Sequence, residues 1–351
     1  MRLRVKRETR VGRTRVQDLK VAPRVSIIIL NWNGRRYLKP CLESVLAQTF
    51  RDFEIVLVDN GSSDGSTDLV RAEFPAVRLI ENQRNLGFAA ANNQAIRATT
   101  SEFVATLNND TRTDPGWLAA LVSAMERTPR VGMCASKMLF AHQPDVINSA
   151  GVCLDRAVIA WDRLGGQPDD RADDEPGSVF GACAGAALYR RAMFDQIGLF
   201  DEAFFAYLED VDLAWRAQLA GWRALYVPQA QVYHHHSATS QEGSPFKRRL
   251  LGRNKVWLVA KNYPTPTLFR YLPAILGYDL LAVGYTLLVQ RDLNPLRGRL
   301  AGLKGLRQML SKRRAVQRQR VGSSLATVQL LQPLSAPWRV WKRYAHLERP
   351  T

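Results

Sequence analysis

The sequence predicts an α/β fold: a mostly parallel sheet covered by helices on both faces. Three observations carry that expectation. From residue 25 onward, short runs of Val, Ile and Leu alternate with stretches of helical spacing, a repeated strand–helix unit. The runs are apolar throughout rather than at every second position, which is how strands buried on both faces read. Polar residues gather where the runs end, and parallel sheets bind ligands beyond the C-terminal ends of their strands.

Taken in order, "RVSIIILN" is the first strand, followed by a helix over about 35–49. "FEIVLVDN" precedes a helix over about 66–74, "VRLIEN" one over about 88–99, and "EFVATLNND" one over about 115–128, with Pro115 suited to a helix start after Asp114. The stretch 140–180, with "GGQPDDRADDEPGS", reads as an acidic surface loop able to close over a substrate. A helix over 209–220 stops at Gly221, and the strand "ALYVPQAQVY" leads into "HHHS".

The chain has 351 residues and a formal net charge of +17, but the charge is segregated. Residues 1–24 hold nine Lys/Arg and two Asp/Glu, 25–240 hold 19 and 26, and 241–351 hold 21 and 4. An acidic middle between basic ends argues against nucleic acid as a partner, because a nucleic-acid reader carries its basic stripe on the folded module. Residues 1–24 have no apolar segment and read as a flexible basic arm, not a secretory signal. Four scattered cysteines without a C-x-x-C pair fit a reducing, cytoplasmic setting.

Chemistry concentrates at the strand ends, where Asn31, Asp59 with Asn60, and Asn108 with Asp110 fall at one edge of the expected sheet. In "VDNGSSDGSTD", Asp59 and Asp64 can accept hydrogen bonds from a nucleobase or sugar, while Gly61 and Gly65 let backbone come close. No Walker or G-x-G-x-x-G loop is present. In "LNND", Asp110 is a hard oxygen ligand suited to Mg²⁺ or Mn²⁺, and Asn108 can add a neutral carbonyl oxygen. "YLEDVDLAWR" crowds Glu209, Asp210 and Asp212 at a helix start, where they suit the helix dipole and one can serve as general base. One ring of "HHHS" can complete a metal shell, and Arg190, Arg191 and Arg216 read as structural ion-pair partners.

The segments "VSIIILNWNG", "CLESVLAQTF", "EIVLVDNGSSDGS", "NLGFAAANNQAI", "LNND", "GLFDEAFFAYLEDVDLAWRAQLAGW" and "VYHHHS", in that order over about 25–262, resemble the inverting family 2 glycosyltransferases. Within that family the chain is similar to the rhamnosyltransferase-like group of cell-surface polysaccharide assembly. The resemblance implies a GT-A (Rossmann-like) catalytic domain over 25–262 that takes a sugar from a nucleotide-sugar donor. It implies that Asp59 reads the uracil or thymine edge with Asn31, Gly61 and Asp64 nearby, and that Asn85, Gly87 and Asn93 contact the donor. Asn108 and Asp110 stand where the family has its metal-binding D-x-D, Asp210 stands as the catalytic base with Glu209 beside it, and His234 or His236 is the later metal ligand.

Two departures qualify this picture. Asn108 replaces the first Asp of D-x-D, which lowers the charge offered to a metal and leaves a catalytically idle binding protein as the alternative. The Q-x-x-R-W motif of processive synthases is absent, which favours transfer of one sugar. The expected donor is dTDP-rhamnose, with UDP-sugars the alternative, and the acceptor a glycan or a polyprenyl-diphosphate-linked sugar.

Residues 263–351 form a helical, basic region. "YLPAILGYDLLAVGYTLLVQ" (271–290) is interrupted by Asp279 and reads as an interfacial or docked helix, not a spanning one. Residues 295–321 hold nine Lys/Arg and no acid, with Leu296, Leu300, Leu303, Leu306 and Leu310 at helical spacing, although Gly298, Gly302 and Gly305 weaken a helix there. This pattern predicts peripheral attachment to anionic lipid on the inner face of the cell membrane.

Overall fold

The computed structural model describes residues 22–172, 175–235 and 244–335. Nearly all of the predicted N-terminal arm, and His236, lie outside the described residues.

The first half alternates as its sequence requires: β1 (Val25–Asn31), α1 (Arg35–Leu46), β2 (Phe53–Asp59), α2 (Ser66–Glu73), β3 (Arg78–Glu81), α3 (Phe88–Arg97) and β4 (Phe103–Asn108). Next come β5 (Thr111–Thr113), α4 (Trp117–Arg127), β6 (Val131–Phe140), β7 (Gln143–Ser149), β8 (Val152–Leu154), β9 (Ala160–Asp162), β10 (Gly177–Val179) and β11 (Ala186–Arg190). The remainder is α5 (Arg191–Ile197), α6 (Glu209–Leu219), β12 (Arg223–His234), α7 (Pro245–Asn262), α8 (Thr265–Leu288), α9 (Asn294–Lys304), α10 (Leu306–Arg318) and α11 (Ser324–Gln329).

The main sheet runs β10-β12-β6-β11-β4-β1-β2-β3. Its β4-β1-β2-β3 half is parallel throughout, and the register sets Asn31 beside Asp59 and Leu30 beside Asn108. Three polar strand ends therefore meet at one edge. β11 enters antiparallel between β4 and β6, while β12 runs parallel to β6.

The apolar strands feed two cores at once. Ile28, Val56, Val58 and Val104 face the layer that holds α3 and α6, and Ile27, Ile29, Leu57 and Ala105 face the layer of α1 and α4. Alternate residues of one strand point to opposite faces, so both sets must be apolar.

Two expectations need correction. Residues 140–180 are not one open loop: β7 pairs with β6, and β8 with β9. These strands are short and their apolar residues irregular, so no period announces them. The leucine run 295–321 is two helices, α9 and α10, broken at Gly305. The glycines that weaken it in isolation serve packing. A Cβ on Gly298 would stand 2.2 Å from the Arg249 carbonyl oxygen, and one on Gly302 would stand 2.8 Å from Val256, so α9 lies against α7 more closely than any side chain would allow.

Candidate active site

The floor of the site is a chain of amides. Asn31, buried at the end of β1, donates from Nδ2 to Asp59 Oδ1 (2.8 Å) and accepts at Oδ1 from Asn109 Nδ2 (2.7 Å). Asp59 takes a second bond from the Ser62 N–H (2.9 Å) and is itself only 2% exposed. These bonds lock the turns after β1, β2 and β4 to one another. Asp64, nearer solvent, accepts from the Arg35 N–H at 2.9 Å and caps Ser66. Burial works to raise its carboxyl, but the bonds from Ser66 and Arg35 outweigh this and hold it below the usual carboxylate range.

Gly61 illustrates why small residues fill the loop: its φ is +80°, and a Cβ there would stand 2.7 Å from Arg84 backbone. Asn60 Nδ2 donates to Asn85 Oδ1 (2.8 Å), which also accepts from the Gly87 N–H (2.8 Å). Asn85 and Gly87 thus shape the rim of the cleft. Asn93 is directed elsewhere. Its Nδ2 donates to the Phe200 carbonyl (2.8 Å) and to Glu202 Oε1 (3.0 Å), and its Oδ1 accepts from the Phe200 N–H (3.1 Å). It ties α3 to the turn before α6.

Where β4 ends, Asp110 and Asn108 meet His234 from the end of β12. His234 Nε2 lies 3.2 Å from Asp110 Oδ1 and 3.3 Å from Asn108 Nδ2. On its far side the ring contacts Asn148 Oδ1 at 2.8 Å. An amide oxygen can only accept, so Nδ1 carries the hydrogen and the lone pair of a neutral ring sits on Nε2, aimed at Asp110. A ring oriented in this way by a supporting side chain is how metal-ligating histidines are held. Burial works to raise the Asp110 carboxyl, but the hydrogen bond and positive charge of His234, present when the ring also carries a proton on Nε2, outweigh it and hold the carboxyl below its usual range. Asn148 gave no signal in the sequence. It reaches the site only because the β6–β7 hairpin folds back.

A carboxylate oxygen, an imidazole nitrogen and an amide fit a divalent cation that still needs further oxygen ligands, as Mg²⁺ or Mn²⁺ on a substrate phosphate does. Among the described residues no group of three or more His, Cys, Asp or Glu is arranged for a metal, so the protein alone offers a partial shell. Beside Asp110 opens a cavity of about 200 Å³ lined by Tyr37, Arg112, Tyr233 and His235. On the other side of α1 lies a wider groove of about 510 Å³, walled by Asn33, Arg35, Arg36, Lys39 and Asp64.

The three acids at the start of α6 have separate environments. Asp212 is wholly buried and bonds Arg216 Nε (2.8 Å), Lys261 Nζ (2.8 Å) and Asn262 Nδ2 (2.8 Å), which bring its pKa down to about 2 against its burial. Glu209 is 6% exposed with Oε2 unpartnered, and burial together with Asp210 pushes its carboxyl well above the usual range. Burial thus disfavours the charged form of Glu209, in contrast to Asp212.

Asp210 is half-buried, and no cation pairs with it among the described residues. It accepts from the N–H groups of Val211 (2.8 Å) and Ala184 (3.4 Å). Burial raises its pKa to about 6, with Asp162 adding to the rise against the Val211 bond. Ala184 is followed by Gly185, whose carbonyl takes the Asn108 N–H (2.8 Å), so one residue of backbone separates the supports of Asp210 and Asn108.

The turn that presents Asp210 is strained. Phe205, Tyr207 and Leu208 all have φ near +65°, a region costly for side chains of this size. α7 clamps the turn: Asn254 Nδ2 donates to the carbonyls of Phe204, Ala206 and Tyr207, and Arg253 Nη2 to that of Phe204. Of the arginines expected in ion pairs, Arg216 does hold Asp212, whereas Arg190 and Arg191 bond backbone carbonyls instead.

A protein-family comparison matches residues 26–198 to the model described as "Glycosyl transferase family 2". The chain is 31% identical over 236 residues to the N-acetylglucosaminyl-diphospho-decaprenol L-rhamnosyltransferase of Mycobacterium tuberculosis, a match over 60% of this chain and 75% of the relative. Among solved structures it is similar to S. aureus TarS 1-349 in complex with UDP-GlcNAc, with a TM-score of 0.53, 18% identity, and 84% and 90% of the two chains covered. It is also similar to the mannosyltransferase PcManGT from Pyrobaculum calidifontis with GDP-Man and Mn²⁺, with a TM-score of 0.51, 19% identity, and 88% of each chain covered. The structural matches share the GT-A fold, and the rhamnosyltransferase match covers three-quarters of its relative, so the chain belongs to glycosyl transferase family 2 and is a glycosyltransferase.

Proposed function

We propose that the enzyme transfers a single sugar with inversion, by one displacement in which Asp210 is the general base. The observation that carries this reading is the division of labour at the start of α6. Asp212 is locked in ion pairs and Glu209 is buried, while Asp210 is partly exposed, has no cation partner among the described residues and has a pKa of about 6. Such a carboxylate is ionised at neutral pH yet basic enough to accept a proton. The acceptor hydroxyl gives its proton to Asp210, its oxygen bonds the anomeric carbon, and the bond from that carbon to the diphosphate oxygen breaks on the opposite face. The nucleoside diphosphate leaves with the electron pair.

Asp59, Asn31 and Gly61 form the floor for the nucleobase and ribose, with Asp64, Asn85 and Gly87 at its rim. Asp110, His234 and the Asn108 amide oxygen, once that amide turns, would hold Mg²⁺ or Mn²⁺. The bound cation would offset the negative charge that builds on the leaving diphosphate. Asn148 keeps His234 Nε2 directed at that position.

The similarity to a decaprenyl-diphosphate rhamnosyltransferase supports dTDP-rhamnose as donor and a polyprenyl-diphosphate-linked sugar as acceptor, with the enzyme at the inner face of the cell membrane. A UDP-sugar is the second reading, supported by the likeness to a UDP-GlcNAc complex. A thermal-shift panel of dTDP- and UDP-sugars, each with and without Mn²⁺, decides between them. The accepted donor should raise the melting temperature by several degrees and more with Mn²⁺. Asp110→Ala should lose the Mn²⁺-dependent part, whereas Asn108→Asp should keep or strengthen it. An unchanged Mn²⁺ response in Asp110→Ala would remove that residue from the metal site.

A further inference from the structure

We propose that α8 is a helix lying in the membrane plane, which seats the full chain on an anionic lipid leaflet without crossing the bilayer. The surface would bring the cleft to the lipid-linked acceptor proposed above, and it rests on that reading for its purpose while its geometry stands apart from it.

α8 has 24 residues, the only helix among the described residues long and apolar enough to cross a membrane. At 1.5 Å per residue it is about 36 Å long, against an acyl core of about 30 Å, so length alone permits a span. The middle of the helix argues otherwise. Asp279 accepts from Lys255 Nζ on α7 (2.7 Å) and from Arg299 Nη2 on α9 (3.0 Å), and Ile275, one turn earlier on the same side, is buried. A crossing helix would have to break both ion pairs and carry a carboxylate into hydrocarbon. The helix is thus held lengthwise on the protein body by its charged side.

The other side is uncovered. Phe269 is 70% exposed, Leu276 53%, Leu280 73% and Leu288 79%, with the first three at spacings of seven and four residues that mark one helical face. Just one-sixteenth or so of the helix's most apolar window is buried, 6% in all, which no core helix would show.

The surroundings indicate what covers this face. Arg270 lies on α8, Arg291 just beyond it, and Arg297, Lys304 and Arg307 on the neighbouring helices, all exposed. Residues 263–335 contain just two acids, Asp279 and Asp292, and both are paired with cations. An apolar face rimmed by unbalanced positive charge matches acyl chains beneath anionic headgroups. A second copy of the same face would instead bring like charges together.

The test uses the full-length protein and sedimentation with vesicles of phosphatidylcholine alone or with about a third phosphatidylglycerol. Binding should be at least about tenfold stronger to the mixed vesicles and should weaken as salt screens the arginines. Leu280→Gln with Leu288→Gln should reduce binding about tenfold or more, leaving the melting temperature and transfer to a short water-soluble acceptor unchanged. Alkaline carbonate should release the wild-type protein from the vesicles. Retention in carbonate overturns the in-plane reading in favour of a span. Wild-type vesicle binding in the double variant, or a concentration-dependent dimer that the double variant abolishes, overturns lipid as the occupant. Loss of soluble-acceptor activity in the wild type would speak against the proposed reaction and leave the binding result standing.

Discussion

Asp210→Asn should lower turnover by about 10²-fold or more, because an amide cannot take the acceptor proton, while donor affinity stays nearly unchanged. The substitution keeps the shape of the side chain, and its one remaining oxygen can keep the shorter backbone bond, from the Val211 N–H, while the longer one from Ala184 is lost. The pH profile gives a second reading. Asp210 has a raised pKa of about 6, so its basic form dominates above that value and the wild-type rate should fall as pH drops through about 6. In the variant this acidic limb should vanish along with most of the rate. Turnover close to wild type, or an acidic limb that survives in Asp210→Asn, would assign the base elsewhere.

Lys261→Met should destabilise the folded chain by about 3–5 kcal/mol, since it strips the partner from buried carboxylates. Lys261 is 3% exposed and bridges Asp201 Oδ2 (2.7 Å) and Asp212 Oδ2 (2.8 Å). Lys312 from α10 reaches the other oxygen of Asp201, and Arg216 holds Asp212 from within α6. Urea unfolding at neutral pH should show the loss as a lower midpoint with an unchanged slope. A shift worth less than about 1 kcal/mol would mean that Lys312 and Arg216 suffice to balance the two acids. The low pKa of Asp212, about 2, adds a pH signature: its contribution is full above the ordinary carboxylate range and disappears as pH falls toward 2, and Lys261→Met should flatten that dependence.

Much of the catalytic half was legible because the sequence carries its chemistry in short local patterns. Strands with two apolar faces, the polar ends at Asn31, Asp59 and Asn108, and the acidic first turn of α6 each occupy fewer than about ten residues, within reach of periodicity and turn chemistry. Longer-range partnerships were not legible. Asn148 supports His234 from 86 positions away, and Lys261 meets Asp201 across 60. Nothing in "VINS" or "VAKNY" announces either contact, because a polar side chain in an apolar neighbourhood acquires its meaning only from what folding sets opposite it. Asn93 shows the limit of a local motif. Its motif was visible, but the helix turns its amide toward Phe200 and Glu202, so visibility did not disclose direction. The glycines of α9 were misread for a related reason: propensity scores a helix alone, and here close approach to α7 decides.

The clamp that α7 places on the strained turn at 205–208 also bears on how such an enzyme can be re-engineered. Three residues held in the left-handed region represent about 1–3 kcal/mol each, retained only while Asn254 and Arg253 keep their carbonyl partners. The natural seam for grafting therefore does not lie ahead of Pro245, because a catalytic module cut there would let the turn relax and displace Asp210. α7 must travel with the transferase core. The helices beyond it make the more exchangeable cassette, provided the replacement supplies a cation where Lys312 meets Asp201 and a surface that accepts the flank of α7.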